Sequence, residues 1–340
     1  PAGSGILSAG RPLNADLASI LRDQKSSLDM PSISCTRMSH LPGYCLLPVE
    51  ELKDRASAAL SRLACCDICP RCCAVDRLSD QRGFCRTGRL AGVASYAPHF
   101  GEEDCLVGRA GSGTIFFSGC NLSCHFCQNY DISQKDAGQE VSADELARMM
   151  LALQDCGCHN INFVTPTHVV PQILEALAPA REGGLDLPLV YNSGGYDSVD
   201  TLHLLEGVID IYMPDAKYGQ DGPALKYSGA PDYVERMKTA LKEMHRQVGD
   251  LVTDEAGIAR RGLLVRHLVL PEGIAGTEEV VRFISQEISK NTCLNVMAQY
   301  HPAYNACRFP ELCRTISARE YAQSIALAAE AGLRRGLAML

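Results

Sequence analysis

The sequence predicts an α/β fold, a partial (β/α)6 barrel preceded by a cysteine-rich, metal-binding N-terminal extension. Three observations carry this reading. From residue 114 onward, short apolar runs alternate with longer amphipathic stretches. A polar cluster follows each apolar run. Six of the 17 cysteines crowd into CCDICPRCCAVDRLSDQRGFC, ahead of the first run.

The apolar runs are TIFFSG, NINFVT, LPLVYNS, VIDIYMP, LLVRHLVLP and LNVMAQY, each of strand length. Between them SADELARMMLALQD, HVVPQILEALAPAR, DSVDTLHLLEG, PDYVERMKTALKEMHRQVG and GTEEVVRFISQEI carry helical periodicity, and SAREYAQSIALAAEAGL closes the chain. Regular strand–helix alternation implies right-handed crossovers and a parallel sheet. Six units are too few to close an eight-stranded barrel but suit a partial one. In such folds chemistry gathers at the C-terminal ends of the strands. The clusters SGCNLSC, TPTH, NSGGYD, PDAKY, PEG and QYHP fall there.

Three zones divide the chain. Residues 1–64 form a polar lead-in ending in a short amphipathic helix near 48–64. Residues 65–113 are dense in Cys, Gly and Arg with little helical or strand period. Such a segment has few apolar residues for a core of its own, and metal ligation would supply the missing folding free energy. Residues 114–340 form the barrel and the C-terminal helix.

Bulk properties exclude several classes. A chain of 340 residues, 46% hydrophobic and 21% charged, is ordinary for a folded protein. The formal charge of −8, with no Lys/Arg stripe, argues against nucleic acid or an anionic membrane as partner. No apolar run approaches the roughly 20 residues of a membrane-spanning helix. The opening PAGSGILSAGRPLNADLASILRDQ lacks a basic region followed by an apolar core, so the expected location is the cytoplasm. An odd cysteine count and uneven clustering argue against a disulfide framework. The scattered Cys35, Cys45, Cys105, Cys156, Cys158, Cys293, Cys307 and Cys313 are read as small hydrophobes.

The central motif is GCNLSCHFCQNY, which sets Cys120, Cys124 and Cys127 directly after a strand. Three thiolates in one loop can ligate three irons of a cubane and leave the fourth iron open. Structural zinc is the competing reading, with His125 as a fourth ligand.

The C-x3-C-x2-C loop, with aromatic Phe126 before its last cysteine, resembles that of the radical S-adenosylmethionine (SAM) superfamily. The strings GSGTIFFSGCNLSCHFCQNYDIS, NFVTPTHVVPQILEAL, VYNSGGYDS, DIYMPDAKY, EMHRQVGDL and RGLLVRHLVLPEG resemble, in order, proteins related to pyruvate formate-lyase activating enzyme. The resemblance spans roughly residues 65–335. It implies a barrel of the radical SAM type and a [4Fe-4S] cluster held by Cys120, Cys124 and Cys127. SAM would be bound at the open iron and cleaved to methionine and a 5′-deoxyadenosyl radical, which takes hydrogen from a substrate. It also implies reduced flavodoxin or ferredoxin as the electron donor.

The resemblance places cofactor contacts as well. Phe126 belongs to the cluster loop. Thr165, Pro166 and His168 stand where many relatives carry a glycine-rich loop touching the SAM amino group, although this chain departs from that loop. Asn192 and Ser193 occupy a position for ribose or carboxylate contacts, or form a plain glycine-rich turn. Asp215 and Lys217 resemble the Asp-x-Lys pair of glycyl-radical activating enzymes, with a surface ion pair as the alternative. His267 and Gln299 face either the lumen or the core. Glu102, Glu103 and His99 lie in PHFGEED, as functional groups or as a solvated loop.

In the cysteine-rich segment, the best four-ligand set is Cys66, Cys69 and Cys73 closed by Cys85, resting on a similar pattern in the relatives. Cys65 and Cys72 are alternative ligands, because adjacent cysteines leave the register open. The metal is an iron–sulfur cluster or zinc, and a purely structural role stands beside both. Four functions follow: a radical SAM enzyme acting on a small molecule or peptide, an activase of a glycyl-radical enzyme, a non-catalytic metal or electron-transfer protein, or a zinc-binding interaction module. The extra cysteine segment favours the first, since a minimal activase does not need it. The substrate is not written in the sequence.

Overall fold

A computed structural model describes residues 41–337 except residue 136. The first part of the predicted lead-in, with Cys35, therefore lies outside the described residues.

Six strands match the six apolar runs: β2 (Ser112–Phe117), β4 (Ile161–Val164), β5 (Leu189–Ser193), β6 (Ile211–Pro214), β8 (Ala259–Leu268) and β9 (Cys293–Met297). They pair in parallel, each with the next, and the sheet does not close. Every residue of β4, β5 and β6 is buried. Both faces of a parallel sheet are covered, which is why these runs read as continuous apolar stretches rather than alternating ones. Phe117 of β2 stacks on Phe163 of β4 with ring centroids 6.1 Å apart.

Three further strands extend the sheet. β1 (Ala91–His99) and β3 (Gln139–Val141) add an antiparallel edge beyond β2. β7 (Val252–Thr253) pairs antiparallel with the start of β8. β1 falls in the segment whose composition suggested little strand period. Its outer half, Ser95–Ala97, is exposed, so no apolar alternation marks it; pairing with β2 makes it a strand.

The helices cover the outer face. α1 (Val49–Ser61) packs on α3 (Val170–Glu182), with Lys53 reaching Glu182. α2 (Ala143–Asp155) opens on a capping box in which Ser142 and Glu145 satisfy each other's backbone N–H groups. α4 (Val199–His203) is a single short turn, less than the sequence pattern suggested. α5 (Asp221–Ser228), which the periodicity did not reveal, precedes α6 (Tyr233–Val248). α7 (Thr277–Phe283) runs into a π turn over Ile284–Ile288. α8 (Ala318–Glu330) has a second capping box, Ser317 with Glu320.

One cysteine pair departs from the reading of the scattered cysteines as lone hydrophobes. Cys307 and Cys313 form a disulfide, because successive turns at Ala306–Arg308 and Pro310–Leu312 fold the chain back and bring their Cα atoms to 4.4 Å. Among the described residues, no helix is long and apolar enough to cross a membrane.

Candidate functional site

The strand ends build the site. The turn after β2 carries Gly119 at φ +80°, and the chain then loops through Cys120, Cys124 and Cys127. Polar groups meet each sulfur: the Leu122 N–H reaches Cys120 Sγ at 3.3 Å, and the Ser228 hydroxyl reaches Cys124 Sγ at 3.0 Å. Cys127 Sγ lies 3.2 Å from Ser133 Oγ. Burial and the neighbouring Cys124 and Cys127 thiols push the Cys120 thiol up to about 12, and burial likewise raises Cys124. Desolvated thiols such as Cys120 and Cys124 resist ionising together, and a bound metal would remove the proton outright. The Lys217 ammonium opposes the rise at both Cys120 and Cys124, so a cation stands close to the trio.

Phe126 is buried in this loop, edge-on to Tyr218 and Tyr300 at 6.4 and 6.0 Å. It fixes the loop by packing. The segment after β9 covers the loop from outside: the Asn305 N–H donates to the His125 carbonyl at 2.9 Å, and Tyr304 stacks on Tyr130. Gln299 is exposed there and accepts from Gln128 through its backbone carbonyl.

Beside the trio, the ends of β5, β6 and β8 bring together a charged group. Lys217 Nζ donates to Asp215 Oδ2 at 2.5 Å. Arg266 spreads over three acceptors: Asp215 Oδ1 at 2.8 Å, Asn192 Oδ1 at 2.7 Å and Glu102 Oε2 at 3.3 Å. Burial alone would raise the Asp215 carboxyl, but Arg266 and Lys217 hold it below its usual value. Burial works against the Lys217 charge too, and Asp215 keeps it protonated well beyond the normal range. Glu102 is pushed up by burial despite Arg266. Two cations thus pair directly with Asp215 and Glu102, and Glu103 stands close to Arg266 as a third carboxylate.

The turn after β5 is held separately. Asp197, fully enclosed, accepts from Thr167, Tyr191 and Ser193 at 2.7, 2.9 and 2.6 Å. Ser193 is therefore committed to the turn, while Asn192 belongs to the charged group. Gly195, at φ +75°, lies where a Cβ would overlap the Asp215 carbonyl, so the β5 and β6 ends meet through glycine. Thr165 adopts φ +60° and gives its N–H to the Asn192 carbonyl.

Two of the sequence candidates sit elsewhere. His267 is fully buried, with Nδ1 2.6 Å from the Ala216 carbonyl and Nε2 2.9 Å from Thr277 Oγ1. Its neighbour Arg266 takes the site-facing position. His168 is buried under the cysteine-rich segment, where Nε2 lies 2.8 Å from the Ser118 carbonyl. The sequence reading missed Arg266. In RGLLVRHLVLP, strand alternation leaves Arg266 and His267 on opposite faces, and the acidic Asp215 on the adjacent strand was the signal for a basic partner.

In the cysteine-rich segment, four of the six cysteines share one cavity. Cys66, Cys69, Cys73 and Cys85 line one small apolar cavity with Arg71, Arg77 and His168 among its other walls. Cys65 and Cys72 are exposed.

An open parallel barrel thus carries a three-cysteine loop after its first parallel strand and a buried ionic group at the neighbouring strand ends. The model of the radical SAM superfamily matches residues 114–260. The protein MJ0674 of Methanocaldococcus jannaschii is 34% identical over 273 residues, 77% of this chain and 74% of that protein. MJ0808 of the same organism is 23% identical over 292 residues, 79% of each. A radical SAM methyltransferase from Sphaerobacter thermophilus has 13% identity and a TM-score of 0.46, covering 65% of either chain. The chain thus spans slightly under two thirds of that structure. This chain belongs to the radical SAM superfamily, and the family implies SAM and a [4Fe-4S] cluster as cofactors.

Proposed function

We propose that this protein cleaves SAM at a [4Fe-4S] cluster held by Cys120, Cys124 and Cys127 and abstracts hydrogen from a small molecule or peptide bound in the lumen. When bound, the reduced cluster and SAM supply a 5′-deoxyadenosyl radical. The protein's own residues hold, orient and shield. The observation that carries this reading is the buried Asp215–Lys217–Arg266–Asn192 group beside three thiols crowded at the end of β2.

The donor set fits the group. Among the described residues no three Cys, His, Asp or Glu side chains gather round a single-ion position. A cubane takes one thiolate per iron, so its ligands stand apart, whereas a zinc ion draws its ligands to one point. Lys217 and Arg266 suit the SAM carboxylate, and Asp215 suits its ammonium. Phe126 and the segment after β9 close the loop against water.

Glu103 offers a polar contact for the substrate. Its Oε1 accepts from Asn295 Nδ2 at 3.0 Å, while Oε2 is buried without a partner close to Arg266. A buried carboxylate oxygen of this kind calls for a donor such as a substrate amine, amide or hydroxyl. The resemblance to pyruvate formate-lyase activating enzyme supports an activase as the second reading, and a flavodoxin or ferredoxin would reduce the cluster in either case.

The test is anaerobic reconstitution with iron and sulfide, followed by EPR with and without SAM and assay for 5′-deoxyadenosine. A SAM-perturbed cubane signal, with product lost in the Cys120→Ala/Cys124→Ala/Cys127→Ala variant, is expected. A cluster indifferent to SAM, with no cleavage product, would leave an electron carrier instead.

A further inference from the structure

We propose that Cys66, Cys69, Cys73 and Cys85 hold a second iron–sulfur cluster, seated directly against the loop that carries Cys120. The four belong to two separate turns that the fold brings round one cavity. The first turn is a knuckle: Ala74 N–H donates to the Cys66 carbonyl, Cys66 N–H to the Val75 carbonyl, and Cys72 N–H to the Cys69 carbonyl, each at 3.0 Å. Cys72 and Ala74 take positive φ of 42° and 55°, a conformation disfavoured for side-chain-bearing residues. That strain turns Cys73 inward while leaving Cys72 exposed. The last turn closes at Cys85, where Arg86 N–H returns to the Gly83 carbonyl at 3.0 Å. A Cβ on Gly83 would press on Cys73 Sγ at 2.9 Å, so only glycine lets the two turns approach.

The cavity walls call for something the chain does not supply. Arg77 is 1% exposed and lines the cavity. Its Nε donates to the Gly88 carbonyl and its Nη1 to the His168 carbonyl and Cys66 Sγ, yet Nη2 is buried without an acceptor. His168, also on the wall, directs Nε2 to the Ser118 carbonyl, so Nε2 carries the proton and Nδ1 is a bare, buried lone pair. The Phe84 N–H points to Cys73 Sγ at 3.4 Å. Donors aimed at sulfur are how proteins stabilise iron–sulfur centres. Bridging sulfides would give Arg77 Nη2 its acceptor, whereas a zinc ion adds none beyond the four thiolates. These cysteines, like Cys120, Cys124 and Cys127, are not gathered round a single-ion point among the described residues.

Its place in the fold ties it to the first site. A Cβ on Gly119, next to Cys120, would overlap the Cys85 carbonyl oxygen. Arg71 lines the cavity and reaches across: Nε donates to the Asn121 carbonyl at 2.8 Å and Nη1 to the Gly229 carbonyl at 2.6 Å. Its guanidinium also lies 3.7 Å over the Phe84 ring. The segment's own apolar cluster is only Leu63, Cys66 and Ile68, with Leu60 and Val75 beside it. A metal centre therefore supplies much of what orders this layer.

The experiment counts iron, acid-labile sulfide and zinc in the anaerobically reconstituted full chain and three variants, each checked for folding by circular dichroism. The Cys120→Ala/Cys124→Ala/Cys127→Ala variant should keep iron and sulfide in equal amounts, about half the wild-type content if both centres are cubanes. Its cluster spectrum should not respond to SAM. Cys69→Ala/Cys73→Ala should lose a similar half, and Cys65→Ala/Cys72→Ala should lose nothing. A triple variant that folds but binds no iron would overturn the proposal, as would a zinc ion in the four-cysteine site that iron and sulfide do not displace. A triple variant with the full wild-type iron would instead tell against the first site and leave this one standing.

Discussion

Arg266 Nε meets Asp215 Oδ1 at 2.8 Å, joining the ends of β8 and β6 across the sheet. The same two residues form a parallel bridge through their backbones, and Ala216 N–H donates to the Arg266 carbonyl. Side chain and main chain thus hold one junction, and the guanidinium ties Asn192 and Glu102 to it.

Removing Arg266 leaves Asp215 and Glu102 enclosed with one cation fewer. Breaking a buried pair from one side costs about 3–5 kcal/mol. Arg266→Ala should lose stability of that order in urea denaturation and lose SAM cleavage with it. Arg266→Lys should recover part of the stability but little activity, because an ammonium does not span three acceptors in a planar fork. Equal recovery of both by lysine would mean that only the charge matters.

Gly119→Ala should damage both cysteine groups at once. The residue has φ +80°, and the added methyl would strike the Cys85 carbonyl. The conformational penalty alone is about 1 kcal/mol or more. Iron content and deoxyadenosine formation should fall together. A variant with normal iron and activity would show that the two loops are not packed as described.

Arg71→Ala should free the cysteine-rich layer without touching a ligand. Charge-assisted hydrogen bonds contribute about 1.5–3 kcal/mol each when lost, and Arg71 makes two close ones to the layer beneath. Limited proteolysis should cut first within residues 65–90, in a chain that still resists elsewhere. Unchanged protection would assign the docking to other contacts.

His267 predicts a pH dependence. Burial holds its imidazole below the ordinary value, and both ring nitrogens are already engaged. The unfolded chain takes up a proton near pH ~6.5, and the folded one only at lower pH. More protons are then bound by the unfolded state in that window. Stability is full above about pH 6.5 and is lost as pH falls toward the folded value. Urea midpoints at pH ~7.5 and ~5.5 should differ less in His267→Gln than in wild type. The buried His168, lowered to about 4, adds a parallel share that this variant leaves in place. An unchanged pH slope in the variant would sink the assignment.

The sequence by itself determined the six parallel strands, most of the helices between them and the three-cysteine loop at the end of β2. Those features are local: apolar runs, helical periodicity and close cysteine spacing are legible without knowing what packs against them. Tertiary structure decided the rest. Arg266 rather than His267 meets Asp215, because a strand face is chosen by its neighbours and not by its own alternation. Cys66, Cys69, Cys73 and Cys85 were separated from Cys65 and Cys72 only when positive-φ turns aimed them at one cavity. The Cys307–Cys313 bridge and the edge strand β1 were equally silent, since each depends on a partner brought near by the fold. Spacing along the chain names the chemical groups, and only the packing of distant segments sets which of them face each other.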